Sequence, residues 1–530
     1  MKRFFSLLLF LALCGMQSYA SSHDAGLPFN GTQAISLDGR WSLSIDPNNV
    51  GRQQQWWKQP TQDARPTNVP WVIQDVFPDY HGVVWYWRNF DAPRNPHDQG
   101  RYLIRFWNVD YTADVWVNDK HIGSHEGADG VFVLDATEAV KAGQSNRLAV
   151  RVLNPKDEPI DGILLSQTAH RNKTCAYSFG SDYNHGGIED SVELLVTPAV
   201  WIEDIFAQPD SKTGIVRIQL TVSNTLKKQA GGRLEVSVAP AAGGETVQNV
   251  SLDRKLPAGS TIIETGVTIK NAHLWDINDP YMYRVTARLS VKGKTTFDER
   301  SVRCGFRDFR VDNGYFRLNG KRFFLRCSHT GNCVPIGIHV PYDKDLLRRD
   351  LINVKMMGFN AIRFIAGGAT PYQLDLCDEI GLLAYEEAYS AWLLADSNQM
   401  ARRFDEATAG MIRRDRNHPS LVIWGVLNET ADGPVFEHAV KTLPLVRSLD
   451  QSRLVLLSSG RFDCRLNIGS VANPGSSVWQ CLLGDEREVN APTGLKTVYP
   501  SPPGVGDAHL YPQVPHCADA INLLRTYGQG

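Results

Sequence analysis

The sequence predicts a multidomain chain: two antiparallel β-sandwiches, then a (β/α)8 TIM barrel of which about six strands are present. Three observations lead there. Up to about residue 302 the chain runs as short alternating strands broken by polar turns, the pattern of sandwiches. From residue 303 the rhythm becomes strand, helix, strand, helix. At 530 residues the chain is also too long for one hydrophobic core and calls for about three domains.

Met1 to Ala20 has the form of a signal peptide. Lys2 and Arg3 charge its start, Phe4 to Leu13 is its apolar run, and Ser18-Tyr19-Ala20 offers a small-x-small cleavage site. The expectation is an exported protein, periplasmic or extracellular, cleaved after Ala20. No later apolar run is long enough to span a bilayer. The net charge of −2 points to neither nucleic acid nor an anionic membrane as partner. Export permits disulfides, but the nine cysteines form no dense framework. Cys464 and Cys481 share one irregular stretch and could bridge; Cys327 and Cys333 flank His329 and raise the question of a metal. Zinc sites favour tighter, matched pairs, so no metal and no cofactor is expected. The 13 tryptophans are read mainly as sandwich core.

The first sandwich occupies residues 21–209. Trp41 to Ile45, Tyr102 to Phe106, Ala113 to Val117 and Leu148 to Val152 alternate, and Asn118-Asp119 makes a turn. Residues 210–302 form a second all-β unit with immunoglobulin-like spacing. Its strands are Ile215 to Val222, Leu234 to Val238 and Tyr283 to Leu289, and Ala242-Gly243-Gly244 is one of its turns. It carries no catalytic constellation.

Residues 303–530 are the barrel. Phe316 to Lys321 leads in, and Phe323 to Arg326 reads as the first strand. A helix over Asp343 to Met357 follows, then a second strand at Asn360 to Phe364 and a helix over Tyr372 to Ile380. Leu382 to Tyr385, Leu421 to Leu427, Leu454 to Leu457 and His509 to Tyr511 continue the series. The stretch RRDRNHPSLVIWGVLNET, Arg413 to Thr430, organises this domain. A basic helix is broken at Asn417-His418-Pro419, since proline biases its predecessor away from helix. An apolar run long enough for a strand buried on both faces follows, and Asn428 and Glu429 stand at its exit. Such barrels place their chemistry at the C-terminal ends of strands. On spacing alone, Glu429 reads equally as a catalytic carboxyl or as a cap for the next helix.

RDRNHPSLVIWGVLNE resembles the acid/base segment of glycoside hydrolase family 2, the family of β-galactosidases, β-glucuronidases and β-mannosidases. GVVWYWRNF, VDYTADVWVNDKHIGSHEGADGVFVLD and SVELLVTP resemble its sugar-binding jelly-roll domain, and LWDINDPYMY its immunoglobulin-like domain. The resemblance implies that Glu429 is the acid/base and that Asn428 binds the sugar 2-hydroxyl. It implies that Arg363, in Asn-x-x-Arg, holds active-site carboxylates. It places His329 after the first strand and His509 after the sixth as substrate-binding residues, although Cys327 stands where the family has glycine. His418 is expected to lock the turn before the fourth strand. The loop at His185-Gly186-Gly187-Ile188 either leans over the barrel mouth, bringing Asp182 or His185 to substrate, or is plain surface. The stretch Glu386 to Trp392 lacks the glutamate–histidine pair with which family β-galactosidases bind magnesium.

A retaining glycosidase needs two carboxyls about 5 Å apart. In the family the nucleophile ends the seventh strand, and the sequence reaches Gly530 with about six. Glu437, Glu486 and Glu488 do not fit the role. The chain therefore reads as a C-terminally truncated, exported exo-β-glycosidase, inactive by itself, with a carbohydrate as its substrate. β-Galactoside is preferred only as the commonest family activity. A non-catalytic carbohydrate-binding protein with a vestigial barrel and an adhesive scaffold of sandwiches remain as alternatives.

Overall fold

The computed structural model describes residues 31–527, except 129, 171–172, 176–181, 294–296, 313–314, 331–343, 389–393, 431–432, 460–470, 473–486, 491–495 and 500–516. The leader, Cys333, Cys464, Cys481 and His509 to Tyr511 lie outside the described residues. Among the described residues no helix is long and apolar enough to cross a membrane.

In the first sandwich a four-stranded antiparallel sheet packs on a six-stranded one. The smaller runs in the order Gln33–Ser36, Val192–Thr197, Arg101–Phe106, Phe132–Asp135. The larger is centred on Gly82–Ala92 and Gln144–Asn154. Alternation sends Val84, Tyr86, Ile104, Phe106, Val150 and Leu194 into the core between them. The opposite residues of Gly82–Ala92, Trp85 and Trp87, are buried as well, under Trp56 and Trp57 and beside Trp116. Trp57 stacks on Trp116 with ring centroids 5.4 Å apart. These indoles fill a second core layer, as aromatic side chains in sandwiches commonly do.

The second sandwich sets three strands (Val200–Asp210, Ile215–Asn224, Gly259–Thr268) against four (Gln248–Leu256, Ala230–Pro240, Tyr283–Val291, Phe297–Cys304). Each alternating run identified in the sequence lies inside one of these longer strands.

The third unit is a partial barrel. Its described parallel strands are Cys327–Thr330, Ala361–Phe364, Leu383–Glu387, Leu421–Asn428 and Leu454–Ser459, neighbours in that order. One expectation needs correction. Phe323 to Arg326 is not the first strand; the ladder begins at Cys327. The side chain of Asn360 takes the Arg326 N–H and donates to the Phe324 carbonyl, both at 2.8 Å, so side-chain bonds hold this segment where a ladder would. Beyond the fifth strand, the neighbour among the described residues is the short antiparallel segment Val471–Ala472; His509 to Tyr511, read from the sequence as the sixth strand, lies outside the described residues.

The helix expected over Tyr372 to Ile380 runs over Pro371–Ile380, with a local signal at each end. Thr370 and Gln373 form a capping box, proline opens the first turn, and Gly381 closes the helix in the left-handed region.

The turn Arg416-Asn417-His418 fastens the barrel to the second sandwich. Asn417 takes the Ala207 N–H at 2.9 Å and donates to the Ile205 carbonyl at 2.8 Å, as a strand residue would. Arg416 pairs with Asp204 at 2.7 Å and stacks over Phe206. His418 Nδ1 lies 2.6 Å from Asp378, on the helix after the second barrel strand. On the other side, Glu126 of the first sandwich takes Arg402 and Arg403 of the helix Met400–Asp415, each at 2.6 Å.

Candidate active site

The C-terminal ends of the parallel strands gather polar and charged side chains. His329, Arg363 and Tyr385 are in register across the first three strands. His329 shares the face of Cys327, which packs against the barrel interior. Cys327 donates to the Ser328 carbonyl, and burial pushes its thiol up to about 12. It is therefore a protonated thiol at neutral pH.

Arg363 is the hub. Its Nε donates to Glu387 Oε1 at 2.7 Å, and its Nη2 reaches the same oxygen at 2.5 Å and the amide oxygen of Asn428 at 2.6 Å. The second oxygen of Glu387 takes the Ala366 N–H at 2.8 Å. A charged fork thus locks the Asn428 amide with its oxygen inward. That amide's Nδ2 is buried without a protein partner among the described residues, a donor open to a ligand.

Gly425 makes the arrangement possible. A Cβ there would stand 2.5 Å from Glu387 Cγ and 2.6 Å from Tyr385 Cε2. Only glycine on the fourth strand lets these two side chains cross its face.

Glu429 follows Asn428 directly and is half-buried. Its backbone is left-handed, with φ 45°, and its N–H is held by the Ser459 carbonyl at 2.9 Å. A non-glycine residue in that region costs about 1–3 kcal/mol and is found where surroundings impose it. Glu429 is not the cap of the next helix: Pro434–Leu449 begins after Gly433, with no side-chain cap bond.

Behind the third strand, Glu386 faces the helices. It takes the Ala369 N–H at 2.6 Å and lies beside Arg414 and Asp415. Burial, then Asp415, raise its carboxyl well above the usual range. Asp375, Asp378 and His418 also lie close enough to share an ion. Arg303 already pairs with Asp375, and the Ser420 N–H donates to Asp378 at 3.0 Å, so this group is a junction with the second sandwich.

The structure brings Arg363, Asn428 and Glu429 to one place and sets His329 in register beside Arg363. His509 lies outside the described residues. His185 is buried, its Nδ1 2.7 Å from Glu189, and it serves the first sandwich's interior. Glu387 was missed by sequence reasoning. The signal was available: Glu386-Glu387 follows the apolar LLAY much as Asn428-Glu429 follows the fourth strand.

Against known families, residues 34–198 match "Glycosyl hydrolases family 2, sugar binding domain", residues 200–307 "Glycosyl hydrolases family 2", and residues 309–473 "Glycosyl hydrolases family 2, TIM barrel domain". The chain belongs to glycosyl hydrolase family 2. The β-glucuronidase of dog (Canis lupus familiaris) is 28% identical to this family 2 chain over 455 residues, covering 79% of it and 67% of the relative. That of Bacteroides fragilis is 27% identical over 500 residues, covering 87% and 64%. The crystal structure of Bacteroides uniformis β-glucuronidase shares the fold, with TM-score 0.68 at 21% identity over 80% of this chain. This family 2 chain spans 52% of that structure's length.

Proposed function

We propose that this chain carries the acid/base half of a retaining exo-β-glycosidase site, with Glu429 as proton donor and Asn428 as the donor to a sugar hydroxyl. One observation carries the reading: Glu429 is held in a strained left-handed conformation at a parallel strand's end, beside an amide that Arg363 and Glu387 orient. A scaffold protein has no use for that arrangement. Glu387 is not the second carboxylate, being committed to Arg363 and the Ala366 N–H. The nucleophile is not assigned to a described residue.

The curated relatives above are β-glucuronidases, which supports a β-glucuronide as the substrate to test first. That displaces the β-galactoside preference, which rested on family frequency. The leader-like Met1 to Ala20 supports export.

The test is a Glu429→Gln variant of the protein that carries this chain, assayed on aryl β-glucuronides, β-galactosides and β-mannosides. Poor leaving groups need protonation to depart, so their hydrolysis should fall by about 10²–10⁴-fold. Activated leaving groups should lose far less. Equal loss on both would remove Glu429 from the acid/base role.

A further inference from the structure

The loop after the second barrel strand, residues 365–370, is held from both faces of the third strand. Glu386 and Glu387 end that strand, Leu383–Glu387, and alternation sends their side chains to opposite sides of the sheet. Glu387, on the inner side, takes the Ala366 N–H at 2.8 Å. Glu386, on the helix side, takes the Ala369 N–H at 2.6 Å. The Ala369 carbonyl in turn accepts from Arg414 Nη2 at 2.6 Å, on the helix Met400–Asp415.

Residues 366–369 are buried and pair with no strand among the described residues. The backbone groups of a buried loop need partners, and here the side chains of Glu386, Glu387 and Arg414 supply them. Ala366 is left-handed, with φ 52°, a conformation that a residue bearing a Cβ keeps only where its surroundings impose it. Glu386 is fully buried, on the same face as Ala384, which packs into the apolar layer beneath the helices. A carboxyl in such a layer is costly unless it accepts hydrogen bonds. Arg414 has Asp415 at 2.6 Å as its own counter-charge, so Glu386 is not needed to neutralise it. What Glu386 contributes is the bond to Ala369.

We propose that Glu386 is a positioning residue for the site: by fixing Ala369 it fixes the loop, and the loop holds Glu387, Arg363 and the Asn428 amide in line. The bonds run in series. The Ala366 N–H donates to Glu387 Oε2, Arg363 Nε donates to Glu387 Oε1 at 2.7 Å, and Arg363 Nη2 donates to the Asn428 amide oxygen at 2.6 Å. Without the anchor at Ala369, Ala366 relaxes toward an ordinary conformation and its N–H leaves Glu387. The Arg363 fork then loses its fixed seat, and the Asn428 amide loses its aim. The geometry demands an acceptor at position 386, not a charge, so glutamine suffices there and leucine does not. This inference rests on the reading of Asn428 as the donor to a sugar hydroxyl.

The test takes the protein that carries this chain, the aryl glycoside it hydrolyses best and the 2-deoxy analogue, with hydrogen–deuterium exchange of residues 366–369 measured alongside. Glu386→Leu keeps the volume and leaves Arg414 paired with Asp415. It should lower kcat/KM on the hydroxylated substrate about tenfold and on the 2-deoxy analogue less than about threefold, since only the former uses the Asn428 amide. Exchange over residues 366–369 should quicken about tenfold or more. Glu386→Gln should stay within about threefold of wild type in all three readouts. Equal loss on both substrates, or a Gln variant as damaged as the Leu variant, would overturn the proposal. Unchanged exchange in Glu386→Leu would overturn it whether or not any glycoside is hydrolysed. The acid/base reading fails separately, on the leaving-group dependence of Glu429→Gln, which leaves the 2-hydroxyl comparison untouched.

Discussion

The guanidinium of Arg363 lies 2.6 Å from the amide oxygen of Asn428, two strands away, and the same group is charge-paired with Glu387 between them. Glu387 is 1% exposed and Arg363 14% at the side chain. Removing one partner of so buried a pair leaves an uncompensated charge, at a cost of about 3–5 kcal/mol. Arg363→Met or Glu387→Leu alone should destabilise by that order in urea unfolding. The double variant should cost much less than the sum. Additive losses would mean the pair is not coupled.

Gly425→Ala should be poorly tolerated despite adding one methyl. The new Cβ meets Glu387 and Tyr385 inside the distances real contacts allow, and overpacking of this kind costs about 1–3 kcal/mol. Calorimetry should show a lowered Tm. An unchanged Tm would mean those side chains give way freely.

Replacing Glu429 should separate stability from chemistry. With φ 45°, glycine relieves the backbone and alanine does not. Glu429→Gly should be more stable than Glu429→Ala by about 1 kcal/mol, while both abolish proton donation. Equal stability of the two would show that position 429 carries no backbone strain.

His418 gives a pH dependence. Burial lowers its affinity for a proton, but Asp378, with Asp375 and Asp415 beyond it, outweighs that and raises the folded value. The unfolded value is about 6.5. A folded value raised above it means the contribution is fully present below pH ~6.5 and is lost as pH rises through the folded value. The wild-type Tm should fall relative to His418→Asn as pH rises above ~6.5. Parallel curves would exclude His418 as the titrating group.

Much of this protein was legible before any coordinates. Apolar alternation marked the second sandwich's strands because each buries mainly alternate residues, as in Ile215–Asn224 and Tyr283–Val291. The helix read over Tyr372 to Ile380 was legible from its pattern, and the structure adds its local caps at Thr370, Pro371 and Gly381. Asn428 and Glu429 were legible as polar residues at the exit of an apolar run, and Arg363 through its resemblance to the family's Asn-x-x-Arg motif.

Cross-strand geometry was not. That Glu387 is the anchor for Arg363 depends on the third strand continuing two residues past Tyr385. The start of the first strand depends on how Asn360 spends its amide.

The sequence by itself determined which elements form and which polar residues end them, since propensity, periodicity and capping act over a few neighbouring residues. Only the tertiary structure decided what those residues touch. Strand register sets Arg363 between Glu387 and Asn428, and Gly425 gives the clearance. Domain packing turns Asn417 into a strand partner. These are contacts between residues far apart in the chain, and no local pattern encodes the angle at which two sheets or two domains meet.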